Sequence, residues 1–305
     1  MNLYSVLKNQ KGTSTVFFAM MLTVIVGFAA VSVDIGIISY EKARLSNTID
    51  AAALAGVQEL VANPTNTWNI TNAYIDKNNS GLKEKSIIVD ETERSVEVRG
   101  IKTVNNYFAK VFGKSTQDVE AVAKAKVENI SAISGARPIA VVQQTFVYGN
   151  LYTLKEGAGD GYNGNYAAIA LGGGGASIYE NNLLYGYGGT IKIGDLIPTE
   201  TGVIAKKTEN AINTLVSSCS HTPVCTHTYY NKNCSRIIFI PVVNTLEING
   251  KKHVKVLGFA TFFLEGAVNS GGQTDITGRF ITYQANGETS PDVNDYGTYG
   301  IKLVK

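Results

Sequence analysis

The sequence predicts an α+β protein: an N-terminal transmembrane helix continuing into a long amphipathic helix, then a small α+β unit, then a β-rich C-terminal domain folded as a sandwich or barrel. Three observations carry this. Residues 12–33 hold no charged side chain, are dense in Val, Phe, Ala, Met, Leu and Ile, and no proline follows before Pro64. Residues 86–90 and 95–104 alternate at the two-residue period of a strand. Glycine (31) and tyrosine (16) far outnumber proline (6) and tryptophan (1) in the 305-residue chain, and strong apolar runs lie at 236–244 and 252–265.

Roughly 20 apolar residues cross a bilayer as a helix, so residues 13–38 are expected to span the membrane and residues 1–12 to form a cytoplasmic tail. A secretory signal peptide is the competing reading, but its apolar part runs only about 7–15 residues, and no small-x-small exit follows this one. Lys8 and Lys11 precede the span, whereas Asp34 and Glu41 come before Lys42 and Arg44 after it. The basic bias places the N-terminus inside and the later residues outside, as a single-pass protein of the cell membrane.

Good helix formers continue from Asp34 to Leu60. Leu45, Ile49, Ala52 or Ala53, Gly56 and Leu60 recur near the 3.6-residue period. Ala51, Ala52, Ala53, Ala55 and Gly56 add a small-residue face on which another element can pack, so residues 39–63 are read as an extracytoplasmic extension of the helix.

Asn63-Pro64 ends that helix. A short helix is expected over 67–78 with Trp68, Ile70, Ala73, Tyr74 and Ile75 on its apolar side, broken at 78–81. Residues 86–104 read as a hairpin turning at 91–94, and 105–112 as a short helix carrying Tyr107, Phe108, Val111 and Phe112. Val119, Ala121, Ala123, Ala125 and Val127 keep a strict period of two, which favours strand over helix for 119–130. Residues 64–135 thus make a small α+β unit, and 131–138 mark the boundary before a β-rich domain over 136–305.

Within the first helix, Lys11-Gly12, Val33-Asp34-Ile35-Gly36, Arg44-Leu45 and Asp50-Ala51-Ala52-Ala53-Leu54-Ala55-Gly56 resemble the N-terminal domain of the TadE/TadG family. Those proteins are single-pass components of the machinery that assembles Flp-type (Tad) pili. The resemblance implies other Tad pilus or envelope proteins as partners. It also makes Asp34 and Asp50 the family's two aspartates, expected to cap the membrane exit and bind neighbouring backbone or basic groups. One departure is informative. A prepilin peptidase substrate carries Glu five residues after the glycine, where it neutralises the neighbouring subunit's N-terminal amine, whereas Phe17 stands five residues after Gly12. Some relatives carry a von Willebrand type A domain with an Asp-x-Ser-x-Ser metal site, a pattern this sequence lacks.

The later part opens with a strand at 139–143, a glycine-rich loop at 157–164 and a strand-like 165–171 that runs into the glycines at 172–175. Glycine loops can cradle phosphate with backbone amides, but the P-loop Lys and Ser/Thr spacing and the acidic residue of a dinucleotide unit are both missing. The run reads as a turn with positive φ angles, and no cofactor is expected. Residues 178–189, with Tyr179, Asn181, Asn182, Tyr185 and Tyr187, read as an irregular aromatic stretch. They offer either ordinary sheet surface or a site for a glycan or wall polymer. The run 168–187, with Ile193-Gly194-Asp195 and Thr199-Glu200, resembles the C-terminal domain of Gram-positive TadG-like proteins.

Cys219, His221, Cys225, His227 and Cys234 form the most site-like cluster. Thiolate and imidazole are zinc ligands, yet the spacing is not that of a standard knuckle and no metal is assigned. Outside the membrane two of the three cysteines can instead form a disulfide, or all three can stay reduced. Beyond the cluster, 236–244 and 252–265 are joined by an Asn-Gly turn at 247–251. The strands 278–283 and 299–304 complete the domain, the last of them able to pair with its own sheet or with a neighbour's edge.

The three histidines, His221, His227 and His253, lie in no GxSxG or HExxH motif, so no enzyme is expected. The net charge of +2 and the lack of a basic stripe argue against a nucleic-acid partner. The expected function is a membrane-anchored cell-envelope protein of a Tad/Flp-type pilus or secretion system, an assembly or minor structural component with self-association open. The alternative is a surface-exposed filament subunit or a polymer-binding adhesion module.

Overall fold

The computed structural model describes residues 12–78, 81–156, 165–200, 204–246, 253–270 and 272–304. The chain divides into two compact units, Met1–Ala125 with Leu303–Lys305, and Lys126–Lys302. The expected cytoplasmic tail with Lys8 and Lys11, the glycine loop at 157–164 and the Asn-Gly turn at 247–251 lie outside the described residues.

The first unit is built on α1 (Thr13–Ala62), one unbroken 50-residue helix, as expected of a run without proline. Its first part is exposed on every face, from Val16 and Phe17 to Phe28 and Val33. Its second part buries Leu45, Ile49, Ala52, Ala53, Gly56 and Leu60, the stripe that the spacing predicts, and Val57 beside it. After a short turn at Pro64–Asn66 comes α2 (Thr67–Asn78).

The buried face of α2 differs from the expected one. Thr67, Thr71 and Ile75 are buried, while Trp68 and Tyr74 are half exposed, at 51% and 45%. The reason lies at Gly56, where a Cβ would collide with Thr71 Oγ1 and press on Val96. Backbones this close admit a threonine, whose hydroxyl bonds to Thr67 O at 2.8 Å, and exclude the larger rings. Gly56→Leu is therefore expected to destabilise this unit by about 3 kcal/mol through overpacking, read as a lower denaturation midpoint. Gly56→Ala costs less, since alanine regains about 1 kcal/mol of helix propensity.

Strands β1 (Glu84–Asp90) and β2 (Ser95–Asn105) pair antiparallel from Glu84 with Ile101 to Asp90 with Ser95. Strand β3 (Thr116–Ser134) follows beside β2 and buries Val119, Ala121, Ala123, Ala125 and Val127, so the two-residue period was the right guide. The expected helix at 105–112 is reduced to one tight turn, Ala109–Phe112.

The second unit holds β4 (Ile139–Val142), β5 (Leu151–Glu156), β6 (Asn165–Ala168), α3 (Ala176–Tyr185), β7 (Thr190–Lys192), β8 (Leu196–Pro198), α4 (Ala205–Ser217), β9 (Ile237–Val243), β10 (His253–Ser270), β11 (Gln273–Ile281), β12 (Tyr283–Gln284), β13 (Glu288–Ser290) and all but the last two residues of β14 (Thr298–Val304). The order β11-β5-β6-β4-β9-β10, with β10 paired back to β11, closes six strands into a barrel. Strand β8 pairs with the start of β10. One core joins Val141, Leu154, Tyr166, Ile240, Phe262, Leu264, Ile276 and Phe280 of the barrel to Tyr179, Leu183, Ile212 and Leu215 of α3 and α4. The closing strand β14 pairs in parallel with β12 of its own chain.

Two helices depart from the sequence reading. Residues 176–185 are helical, not irregular, bracketed by Gly175 at φ +122° and Gly186 at φ +84°. Tyr179 and Leu183, four apart, face the core, and Asn182 Nδ2 donates to Leu171 O at 2.7 Å. These groups are interior, which removes Tyr179 and Asn182 from any ligand-binding surface. Helix α4 was not anticipated at all, although Ala205, Thr208, Ala211, Ile212 and Leu215 form a helical stripe. The glycines at 172, 173 and 175 do adopt positive φ.

Candidate functional site

Two arrangements stand out, one at the helix exit and one in the loop before β9. Asp34 ends the uncharged run of α1 and is 5% exposed. Its carboxylate accepts backbone N–H bonds from Tyr107 at 2.9 Å, Phe108 at 3.0 Å and Ala109 at 2.6 Å. These are the free donors that open the turn Ala109–Phe112, so an acid on α1 caps an element far along the chain. The excursion between β2 and β3 is closed at its neck by Asn106, which bonds through N to Ser115 O at 2.9 Å and through Nδ2 to Lys114 O at 3.1 Å. Gly113 at φ +83° turns it back.

The outer side of that excursion is apolar and open. Val111 and Phe112 are 80% and 84% exposed, and with Phe108 they face Val24, Gly27, Phe28, Ala30 and Val31 of α1 across a groove of about 390 Å³. Beyond Asp34, Glu41 accepts from Lys102 Nζ at 2.6 Å, a second tie between α1 and β2.

The other residues that carry the resemblance are spread along the helix. Gly12, Gly36 and Arg44 are exposed, Leu45 and Ala53 are buried, and Ala51, Leu54 and Ala55 are half-buried. Asp50 is half-buried, and contrary to expectation its carboxylate makes no hydrogen bond or ion pair among the described residues.

The loop from α4 to β9 gathers four of the five predicted ligands. The ligand atoms of Cys219, His221, Cys225 and Cys234 all lie within 4.8 Å of one another. Cys219 Sγ is 3.7 Å from His221 Nδ1 and 3.5 Å from Cys234 Sγ, and Asn231 N–H points at Cys225 Sγ from 3.4 Å. The three cysteines are free thiols. His221 beside it draws the Cys219 thiol down to about 6, and burial pushes that of Cys234 up to about 12. Cys225 and Cys234 rest on Ile237, Phe263 and Ile281. Arg236 fixes the loop's base, donating through Nε to Leu264 O at 2.8 Å and through Nη1 to Cys225 O at 2.9 Å, with its guanidinium 4.4 Å from the Phe263 ring centre. His227 stands outside the cluster, near Gly149, and His253 is exposed at the start of β10.

No curated protein and no solved structure matches the chain. A family model does: residues 12–59 match that of the Flp pilus-assembly TadE/G-like family (Tad), a segment contained in α1 apart from its first residue. Residues 12–59, with Asp34 among them, are thus similar to the TadE/G-like Flp pilus-assembly family.

Proposed function

We propose that the protein is a membrane-anchored component of a Tad/Flp-type pilus or secretion system, working in assembly or as a minor structural part through contacts with other pilus proteins and not through catalysis. The observation that supports this reading is the family-matched helix itself, whose uncharged first part is long enough to cross a bilayer and is exposed along its whole length. Its N-terminus would lie in the cytoplasm and both units outside.

The exit excursion fits that anchor. With a rise of about 1.5 Å per residue, Phe28 lies ~8 Å before Val33 along the helix, so Phe108, Val111 and Phe112 beside it enter the outer leaflet with α1. Lys110 and Lys114 flank them at the depth of the headgroups. Asp34 then holds the joint where the chain leaves the membrane. Phe17, five residues after Gly12, argues for a retained anchor over a processed filament subunit.

Deletion of the gene tests this role. The expected outcome is cells that still make the major filament subunit but display no surface pili, restored by the full chain and not by one lacking residues 13–33. Normal piliation in the deletion strain would contradict the proposal.

A further inference from the structure

The loop between α4 and β9 runs over residues 218–236 without a helix or strand. Structureless loops beyond about 12–15 residues are uncommon in compact domains unless something organises them. Beneath this one, among the described residues, lies a small cluster of Ile237, Phe263 and Ile281 with the two buried cysteines, against which Cys219, Tyr230 and Tyr283 pack.

We propose that Cys219, His221, Cys225 and Cys234 bind one zinc ion that staples this loop to the barrel. With Zn–S near 2.3 Å and Zn–N near 2.0–2.1 Å, neighbouring ligand atoms of a tetrahedral site stand roughly 3.5–3.8 Å apart. The Cys219 Sγ to Cys234 Sγ distance, 3.5 Å, is about 0.3 Å inside the sulfur–sulfur separation of such a site, and the Cys219 Sγ to His221 Nδ1 distance, 3.7 Å, is about 0.1 Å outside the sulfur–nitrogen one. A disulfide between any two of the cysteines would use two sulfurs and strand the third with the imidazole in the same confined space, whereas a tetrahedral ion uses all four groups. Three thiolates and one imidazole are a donor set that selects zinc over calcium or magnesium. The outer contacts also suit it. The Asn231 N–H donates to one sulfur, and Arg236 brings positive charge to a site that carries one net negative charge once three thiol protons leave. The site belongs to the second unit and uses no residue of α1, so its test does not depend on the anchoring reading.

The full chain, extracted from membranes in detergent under argon, provides the test. One zinc per chain in the native mass is expected, or, where the ion was lost in preparation, uptake of one Co2+ with a thiolate charge-transfer band and the intense d–d bands of a tetrahedral site. Cysteine substitutions can unfold the loop, so the decisive variant is His221→Ala, at a half-buried ligand. It should weaken metal binding beyond the roughly 10–100-fold that loss of an outer-sphere partner costs, while His227→Ala leaves it unchanged. A chain lighter by two hydrogens with Cys219 joined to Cys234, three freely alkylated thiols that give no Co2+ bands, or equal effects of His221→Ala and His227→Ala would overturn the proposal.

Discussion

Asp34→Ala is expected to free the excursion at 106–115 from the helix it caps. The carboxylate takes three backbone N–H bonds, and charge-assisted bonds of this kind are each about twice as strong as neutral ones. In the reconstituted full chain, hydrogen exchange at Tyr107, Phe108 and Ala109 should accelerate by roughly tenfold to a hundredfold. Trypsin should begin to cut after Lys110. Asp34→Asn should fall between, because one amide oxygen still accepts while its NH2 group meets N–H donors. Unchanged exchange at these three amides would show that the clamp does not hold the excursion.

Phe280→Ala should unfold the second unit most readily. Phe280 is fully buried, stacked on Phe146 with centroids 4.0 Å apart, and meets Tyr152 and Phe262 edge-on, each at 4.9 Å. It sits on β11, the strand that closes the barrel against both β10 and β5. Truncation removes a ring from this junction and leaves a cavity, a loss of ~3–5 kcal/mol. Phe280→Leu keeps most of the volume and should lose less. The near-ultraviolet tyrosine signal during chemical denaturation reads both. A shift below about 1 kcal/mol for the alanine variant would mean that the closure does not depend on this cluster.

What could be read from the chain beforehand was its local order. The uninterrupted α1, its buried stripe and the two-residue period of β3 all follow from residues within a few positions of one another. The barrel was visible only as a count of strands, because its closure depends on β11 finding both β10 and β5, and the second of these lies more than a hundred residues earlier. Helix α3 was hidden by its composition. Tyr, Asn and flanking glycines favour turns, and only the spacing of Tyr179 and Leu183 carried the helical signal. Helix α4 carries a clear stripe, from Ala205 to Leu215, between the more conspicuous glycine and cysteine motifs.

Sites were legible in type and not in assembly. Asp34 was marked by the resemblance, which implied a cap at the membrane exit, but its partners at 107–109 are joined to it only by the fold. The cysteines and His221 were visible as ligand types with irregular spacing. The loop's path, pinned by Arg236 against Phe263, is what brings them together and leaves His227 aside. In α2 the apolar rings suggested one face, yet the missing Cβ of Gly56 selected the face of Thr71.

Retention of α1 as a membrane anchor is what would separate a pilus-assembly component from a filament subunit. Fractionation of native cells, with intact mass and N-terminal analysis of the protein in membranes and in sheared surface filaments, tests it most directly. Protein is expected in the membrane fraction that retains the residues before Thr13 and is absent from filaments. A chain beginning at Thr13 and recovered in the filaments would contradict it and make the protein a processed structural subunit despite Phe17.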